Sequence, residues 1–266
     1  MKLLRRLDML GMEGSIKSTS FDCHFADGLL MLQELLKLDG RVIMVTMSAL
    51  GVFLLLMAGA APPPSPPAPK PRVLLLGDSI RLGYAPVVAK LLTEQALVIS
   101  PKANGGDTTM LLQQLDALLQ EHQPDIIVFN CGLHDLKKSK ATGKHQVPVN
   151  DYANHLRTLV ARLRQQTPWV LFATSTPILD ERHAARKASF DRFAADVQKY
   201  NEQAVSIMKE LKVPIVDLHA VVMAEGPEQM LSQDGTHYTA KGYDRLAKAV
   251  VDALQKPLAS VRSRGK

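Results

Sequence analysis

Short, uniformly apolar segments alternate with amphipathic segments over residues 72–255, and this alternation limits the fold more than any other feature of the chain. The strand candidates are Val73–Leu76, Leu97–Ser100, Asp125–Asn130, Trp169–Ala173 and Pro214–Leu218. The helical patterns are Val87–Glu94, Thr109–Glu121, Tyr152–Gln166, Lys187–Lys212 and Ala240–Gln255. Strands that are apolar throughout are typical of a parallel sheet buried on both faces. We therefore predict an α/β fold, a three-layer α/β/α sandwich around a five-stranded parallel sheet.

An uncharged apolar run of twenty residues, 42–61, precedes this region. It is long enough to cross a bilayer as a helix, and Ala58-Gly59-Ala60 supplies the small residues that signal peptidase needs. Two interpretations stay open: a retained signal-anchor, or a cleaved signal peptide that starts at an internal methionine such as Met44 or Met47. Both export the rest of the chain, so we predict an extracytoplasmic protein, periplasmic or secreted, with membrane anchoring through 42–61 in the first case.

These features divide the chain into five predicted parts. They are a non-globular N-terminal segment (1–41), a signal peptide or anchor helix (42–61), an extended Pro-rich linker (62–71), one globular domain (72–257) and a disordered basic tail (258–266).

The charge distribution argues against a nucleic acid partner, and the cysteine content argues against a disulfide framework or a zinc site. The net charge of +6 is not concentrated in a basic run with interleaved aromatics, and aromatics make up only 5% of the chain, so we expect no nucleic acid partner. The two cysteines, Cys23 and Cys131, lack the spacing of a disulfide framework or a zinc site.

The first predicted strand ends on Gly77-Asp78-Ser79-Ile80. Open α/β sheets carry their working residues in loops after the carboxyl ends of the strands. A serine here lies near a helix N-terminus, where its hydroxyl is accessible and its own N–H can stabilise an anion. The alternative is that Asp78 or Ser79 simply caps the next helix.

A second polar turn, Asp234-Gly235-Thr236-His237, comes just before the last predicted helix. Across such a turn the carboxylate can hold one imidazole nitrogen while the other acts as a base. A plain solvated turn is the alternative.

Two further loops offer donors for an oxyanion. Asn104-Gly105-Gly106-Asp107-Thr108 follows the second strand, and Asn130-Cys131-Gly132-Leu133-His134-Asp135 follows the third. Glycine lets backbone N–H groups approach a substrate oxygen closely, and His134 adds a side-chain donor. Either loop can instead be a turn, because Gly, Asn and Asp dominate turns for conformational reasons.

Together these blocks resemble the SGNH/GDSL hydrolases, in the family's order, over residues 73–255. The resemblance implies that Ser79 is the nucleophile, that Asp234 and His237 complete a catalytic triad, and that the fold is flavodoxin-like. It also implies an oxyanion hole formed by the N–H groups of Ser79 and Gly106 together with the third block.

The third block departs from the family pattern Gly-x-Asn-Asp, because His134 stands where asparagine is usual. A histidine ring N–H can take the place of the amide N–H, and the alternative is a purely structural hydrogen bond to a neighbouring loop. If His134 must be protonated to help, activity should fall as the pH rises through its pKa.

The resemblance implies a serine esterase that hydrolyses small acyl esters, such as O-acetyl groups on carbohydrate or envelope glycan, with neither metal nor organic cofactor. Two alternatives stay open: a lipid acyl hydrolase of the lysophospholipase or thioesterase type, and a catalytically silent glycan-binding domain. Near the site, we expect Arg81 and Tyr84 on an exposed helical turn, 174–177 as a turn at the same rim, and 179–187 as a polar loop.

Overall fold

The computed structural model describes residues 69–264. Its main sheet has five parallel strands, as the apolar segments predict. They are β1 (Arg72–Leu76), β2 (Leu97–Ile99), β3 (Ile126–Phe129), β5 (Val170–Ala173) and β7 (Ile215–Val216). Every side chain of β3 and β5 is buried, which explains why these segments carry no polar alternation.

The strand order β2-β1-β3-β5-β7 contains one reversal of direction, at β1. The chain leaves β1 toward β2 and then returns to form β3 on the other side of β1. Leu76, the last residue of β1, pairs with Phe129, the last residue of β3. The loops that begin at Gly77 and Asn130 therefore leave the sheet side by side, at the position where open α/β sheets bind their ligands.

Helices cover the sheet in two groups, which makes the three-layer fold. The helices are α1 (Ser79–Leu91), α2 (Thr108–His122), α3 (Val149–Gln166), α4 (Asp180–Ala185), α5 (Ala194–Glu210), α6 (Leu218–Glu225), α7 (Pro227–Met230) and α8 (Ala240–Arg264). Helix α8 packs against α1 and α6, while α3 packs against α2 and α5.

Helix α1 begins at Ser79, eight residues before the predicted start at Val87. Gly83 and Pro86 weaken the helical signal of this segment, since both residues are poor helix formers. Tertiary burial overrides the propensity, because Ile80 and Tyr84 pack into the core.

The segment predicted as one helix over 187–212 is divided. Lys187 has a φ of 53°, a left-handed conformation that cannot continue a helix, and α5 starts only at Ala194. The polar segment 179–187 is largely helical, as α4, and not a loop. A small antiparallel ribbon, β4 (Lys138–Ser139) with β6 (Phe190–Asp191), was not predicted.

The boundary predicted at residue 257 is wrong. Helix α8 continues through it to Arg264, and Leu258 is only 1% exposed. The side chain of Arg262 donates to the carbonyl of Gln95 at 2.6 Å. Apolar contacts and this hydrogen bond hold a segment that its basic composition predicts to be disordered.

The predictions for residues 1–41, 42–61 and most of the 62–71 linker lie outside the described residues. Within 69–264 there is no helix with the length and apolar character needed to span a bilayer.

Candidate active site

Ser79 is the first residue of α1, directly after β1. The helix cap is Asp78, whose carboxylate accepts the Ile80 N–H at 2.9 Å. Because Asp78 serves as the cap, the Ser79 hydroxyl is left for other partners. It lies 2.8 Å from Nε2 of His237, 158 residues further along the chain.

His237 and Asp234 form a compact unit just before α8. Nδ1 of His237 lies 2.5 Å from Oδ2 of Asp234. Since a carboxylate only accepts, the proton is assigned to Nδ1, and Nε2 then accepts from the Ser79 hydroxyl. The structure therefore brings Ser79, His237 and Asp234 into one hydrogen-bonded chain.

The Asp234 carboxylate is held in its ionised form. Its Oδ1 accepts from the Ser232 hydroxyl and from the N–H groups of Thr236 and His237, all within 2.9 Å. Partial burial acts to raise the pKa of Asp234, but the hydrogen bonds from His237, Thr236 and Ser232 outweigh it and keep the pKa well below the ordinary value. Arg186 adds a positive charge 3.6 Å from Oδ2. A permanently charged Asp234 is suited to orient and stabilise a protonated His237.

Arg81 does not lie on an exposed turn as expected, because it is only 2% exposed. Its Nη1 donates to Ser100 Oγ and Pro101 O, and its Nη2 donates to Gly77 O and Ala103 O, all at 2.6–2.8 Å. One guanidinium therefore ties the loop before Ser79 to the loop that leads to Gly106. Tyr84 is buried as well, at 1% exposure.

The loop after β2 makes a close approach to the loop that precedes Ser79. The N–H of Gly105 donates to Gly77 O at 2.9 Å, and a Cβ on Gly105 would lie only 2.7 Å from that oxygen. Gly106 has a φ of +67°, where an L side chain is strained, and a Cβ there would lie 2.6 Å from Met110 Sδ, so the methionine would have to move. Its N–H donates to Asn104 Oδ1 at 2.9 Å. The proposed oxyanion donor of Gly106 is thus occupied by the Asn104 side chain in this structure.

His134, in the loop after β3, is half-buried. Its Nδ1 accepts from Lys137 Nζ at 3.0 Å. Burial, followed by the charges of Lys137 and Arg192, lowers the pKa of His134 to about 4. The ring is therefore neutral at neutral pH, and its remaining N–H is available without protonation. The loss of activity at rising pH, expected for a histidine that must be protonated, does not apply to this arrangement.

Asp135 is fully buried and joins the loop after β2 to the loop after β3. Its Oδ1 accepts from the N–H of Thr108 at 2.9 Å and from the Thr108 hydroxyl at 2.5 Å. Burial raises the pKa of Asp135 to about 7 despite these hydrogen bonds. The bonds join the start of α2 to the loop that carries His134.

The turn at 174–177 is buried beneath the loop that follows β3 and contacts it. Thr174, Ser175 and Thr176 are at most 2% exposed, so they do not line an open pocket. The Ser175 hydroxyl donates to the carbonyl of Cys131 at 3.2 Å. Burial raises the pKa of the Cys131 thiol well above the ordinary value, which agrees with a packing role for this cysteine.

The side chains of Ser79, His237 and Asp234 are partly accessible to solvent. The side chains of His237 and Asp234 are 34% and 27% exposed. A cleft of about 1030 Å³ opens elsewhere, at the amino ends of the strands, and its lining includes Arg72, Asp125 and Trp169. Residues 69–264 contain no group of three or more His, Cys, Asp or Glu side chains able to hold a metal ion.

Comparison with known proteins supplies an independent assignment. The model of the GDSL-like lipase/acylhydrolase family matches residues 75–245, well over half of the chain. The chain is also similar to the human isoamyl acetate-hydrolyzing esterase 1 homolog, with 21% identity over 72% of this chain and 84% of that protein.

Two solved structures share the fold. A lipase/acylhydrolase from Enterococcus faecalis superposes with a TM-score of 0.60 at 20% identity, over 70% of this chain and 96% of that one. An acetylxylan esterase from Geobacillus stearothermophilus gives a TM-score of 0.59 at 18% identity, over 71% and 96% of the two chains.

Proposed function

Because this chain belongs to the GDSL-like lipase/acylhydrolase family and is a carboxylic ester hydrolase, we propose that it hydrolyses small acyl esters through a Ser79-His237-Asp234 triad. The observation that carries the proposal is the continuous chain of short hydrogen bonds, 2.8 Å from Ser79 to His237 and 2.5 Å from His237 to Asp234. A hydroxyl, an imidazole and a carboxylate in this order form the arrangement that activates serine for acyl transfer.

The reaction proceeds in two halves. Ser79 Oγ attacks the ester carbonyl while its proton passes to Nε2 of His237, and the charged imidazole is stabilised by Asp234. His237 then gives that proton to the leaving alcohol, which departs and leaves an acyl group on Ser79. A water molecule loses a proton to His237 and attacks the acyl group, and the proton returns to Ser79 as the acid is released.

Three donors are proposed for the negative charge that develops on the carbonyl oxygen. The Ser79 N–H lies at the start of α1, where helix N–H groups have no partner in the helix. The N–H of Gly106 exchanges Asn104 Oδ1 for the substrate oxygen, and His134 contributes a ring N–H. Such preorganised donors are worth several kcal/mol each, about 100- to 1000-fold in rate.

The substrate that we propose is an O-acetyl group on carbohydrate or envelope glycan. The partial exposure of the His237 side chain, 34%, supports a bulky alcohol part, because a leaving group beside it can extend into solvent. Met110, which is 42% exposed and lies against Gly106, offers an apolar side chain that a short acyl group can contact. The similarity to an acetylxylan esterase and to a relative named for isoamyl acetate also supports acetate. Export through residues 42–61 is part of this proposal, since it would bring the enzyme to such glycans.

The test is a series of p-nitrophenyl esters with acyl chains from acetate to octanoate, assayed with the full-length chain. We expect kcat/KM to be highest for acetate and to fall about 10-fold or more by octanoate, because the apolar contact proposed at Met110 is small and most of a long chain would stay in solvent. We also expect the enzyme to release acetate from O-acetylated xylan. A rate that rises with chain length would favour a lipid acyl hydrolase, and glycan binding without turnover would favour a silent module.

A further inference from the structure

His134, which stands where asparagine is usual in this block, makes one directional side-chain contact. Its Nδ1 faces Nζ of Lys137, 3.0 Å away and three residues further along the chain. Among residues 69–264, Nε2 of His134 has no hydrogen-bond partner, and the ring is half-buried. One ring nitrogen is therefore engaged and the other is free.

The identity of the engaged partner determines where the proton lies. The Lys137 ammonium has three N–H donors and no acceptor, so Nδ1 of His134 must present its lone pair. In a neutral ring the proton then lies on Nε2. We propose that Lys137 is a positioning residue that holds His134 in the Nε2–H tautomer, and so provides the side-chain oxyanion donor that asparagine supplies in the usual form of this block. This inference rests on the proposed function of the site.

The small β4–β6 ribbon holds Lys137 in place. Its Nζ lies 4.9 Å from the centre of the Phe190 ring, a cation–π distance. Arg192, next to the ribbon, lies 4.9 Å from the same ring, and its Nε donates to the carbonyl of Leu133 at 2.7 Å. The ribbon therefore fixes both the lysine and the backbone that precedes His134.

The charged groups around His134 keep the ring neutral. Burial lowers the pKa of His134 most, and the positive charges of Lys137, Arg192 and His237 lower it further. The negative charge of Asp107 acts in the opposite direction, and the resulting pKa is about 4. A neutral Nε2–H resembles the amide N–H of asparagine and does not compete with His237 for protons. Without Lys137, one of the groups that suppress protonation is lost and the tautomer is no longer specified.

The kinetic test compares Lys137→Met with Lys137→Gln in the full-length chain. Methionine removes every donor, and we expect kcat for p-nitrophenyl acetate to fall about 10-fold with KM unchanged. This fall in kcat is smaller than the loss expected when an oxyanion donor is removed completely. Without Lys137, the His134 ring still carries its proton on Nε2 for part of the time. The glutamine amide can donate to Nδ1 and should restore kcat to within about 3-fold of the native rate. Lys144→Met, at an exposed lysine of the same loop, is the matched control and should be unchanged.

A merely structural role of the lysine charge over Phe190 predicts that methionine and glutamine are equally harmful, and that result would overturn the inference. Nitrogen-15 NMR of the free enzyme gives the second readout. We expect the Nε2–H pattern for His134 in the native chain, with mixed tautomers and a raised His134 pKa in Lys137→Met. A native ring protonated on Nδ1 would contradict the inference.

A double-mutant cycle separates this inference from the proposed function. In a His134→Ala background, Lys137→Met should cause no further loss of kcat, because the lysine acts only through the ring. Full activity of His134→Ala, together with an inactive Ser79→Ala, would end the inference and leave the proposed triad standing. An active Ser79→Ala would overturn both.

Discussion

Ser79→Ala is expected to lower kcat/KM for p-nitrophenyl acetate at least about 10,000-fold, the largest effect of any substitution considered for this chain. Alanine removes the only atom proposed to bond to the acyl carbon, and the remaining groups can only bind and polarise the substrate. The measurement is steady-state hydrolysis by the purified full-length chain, together with covalent labelling by a fluorophosphonate probe. Labelling should disappear with the hydroxyl.

The control for this variant is Ser206→Ala, at an exposed serine of α5, which should keep native activity and labelling. The melting temperature of Ser79→Ala should stay close to the native value, because the Asp78 carboxylate still caps α1. Persistent turnover by a correctly folded Ser79→Ala would show that another residue is the nucleophile.

Arg81→Met is expected to lower the free energy of unfolding by about 3 kcal/mol or more, because it removes the donors of four hydrogen bonds at once, one of them buried and three partly buried. Methionine fills part of the volume but removes the guanidinium donor from the carbonyls of Pro101 and Ala103, and leaves the Gly77 carbonyl with the Gly105 N–H alone. Urea unfolding followed by circular dichroism measures the change. Activity should fall as well, since the guanidinium joins the loops that carry Ser79 and Gly106.

Two further variants test whether the stability depends on the two donor nitrogens of the guanidinium, Nη1 and Nη2. Arg81→Lys keeps the charge but offers one nitrogen in place of two, so it should recover only part of the stability. Arg164→Met is the matched control, since Arg164 is exposed and, within residues 69–264, its side chain donates only to the Lys212 carbonyl. Equal free energies of unfolding for Arg81→Met and Arg164→Met would contradict the role of Arg81 in joining the two loops.

The fold was predictable because strands that are buried on both faces consist of apolar residues throughout, a pattern that is visible in the sequence. The segments IIVF and VLFA are apolar throughout, and both are fully buried strands of the central sheet. Helix α1 was predicted too short because its stability depends on tertiary contacts of Ile80 and Tyr84, which local propensity does not register. The extension of α8 beyond residue 257 has the same cause, since Leu258 is buried by the rest of the domain.

The site was predictable to the extent that its residues stand next to the sheet in the chain. Ser79 and His237 were singled out because their loops follow or precede regular elements, and the structure joins them at 2.8 Å. Their catalytic roles stay predictions until the variants are assayed. Lys137 was not singled out, although its spacing of three residues from His134 was a usable signal. The role of Arg81 depends on acceptors in other loops, and no local pattern reveals them.

The most direct test of the central claim is a crystal structure of the full-length enzyme after reaction with diethyl p-nitrophenyl phosphate, which leaves a stable diethyl phosphoryl group on an activated serine. We predict phosphorus bonded to Ser79 Oγ, with the phosphoryl oxygen accepting from the N–H groups of Ser79 and Gly106 and from Nε2 of His134. The Asn104 side chain should have released the Gly106 N–H. Phosphorus on any other residue, or a phosphoryl oxygen turned to solvent away from these donors, would contradict the account.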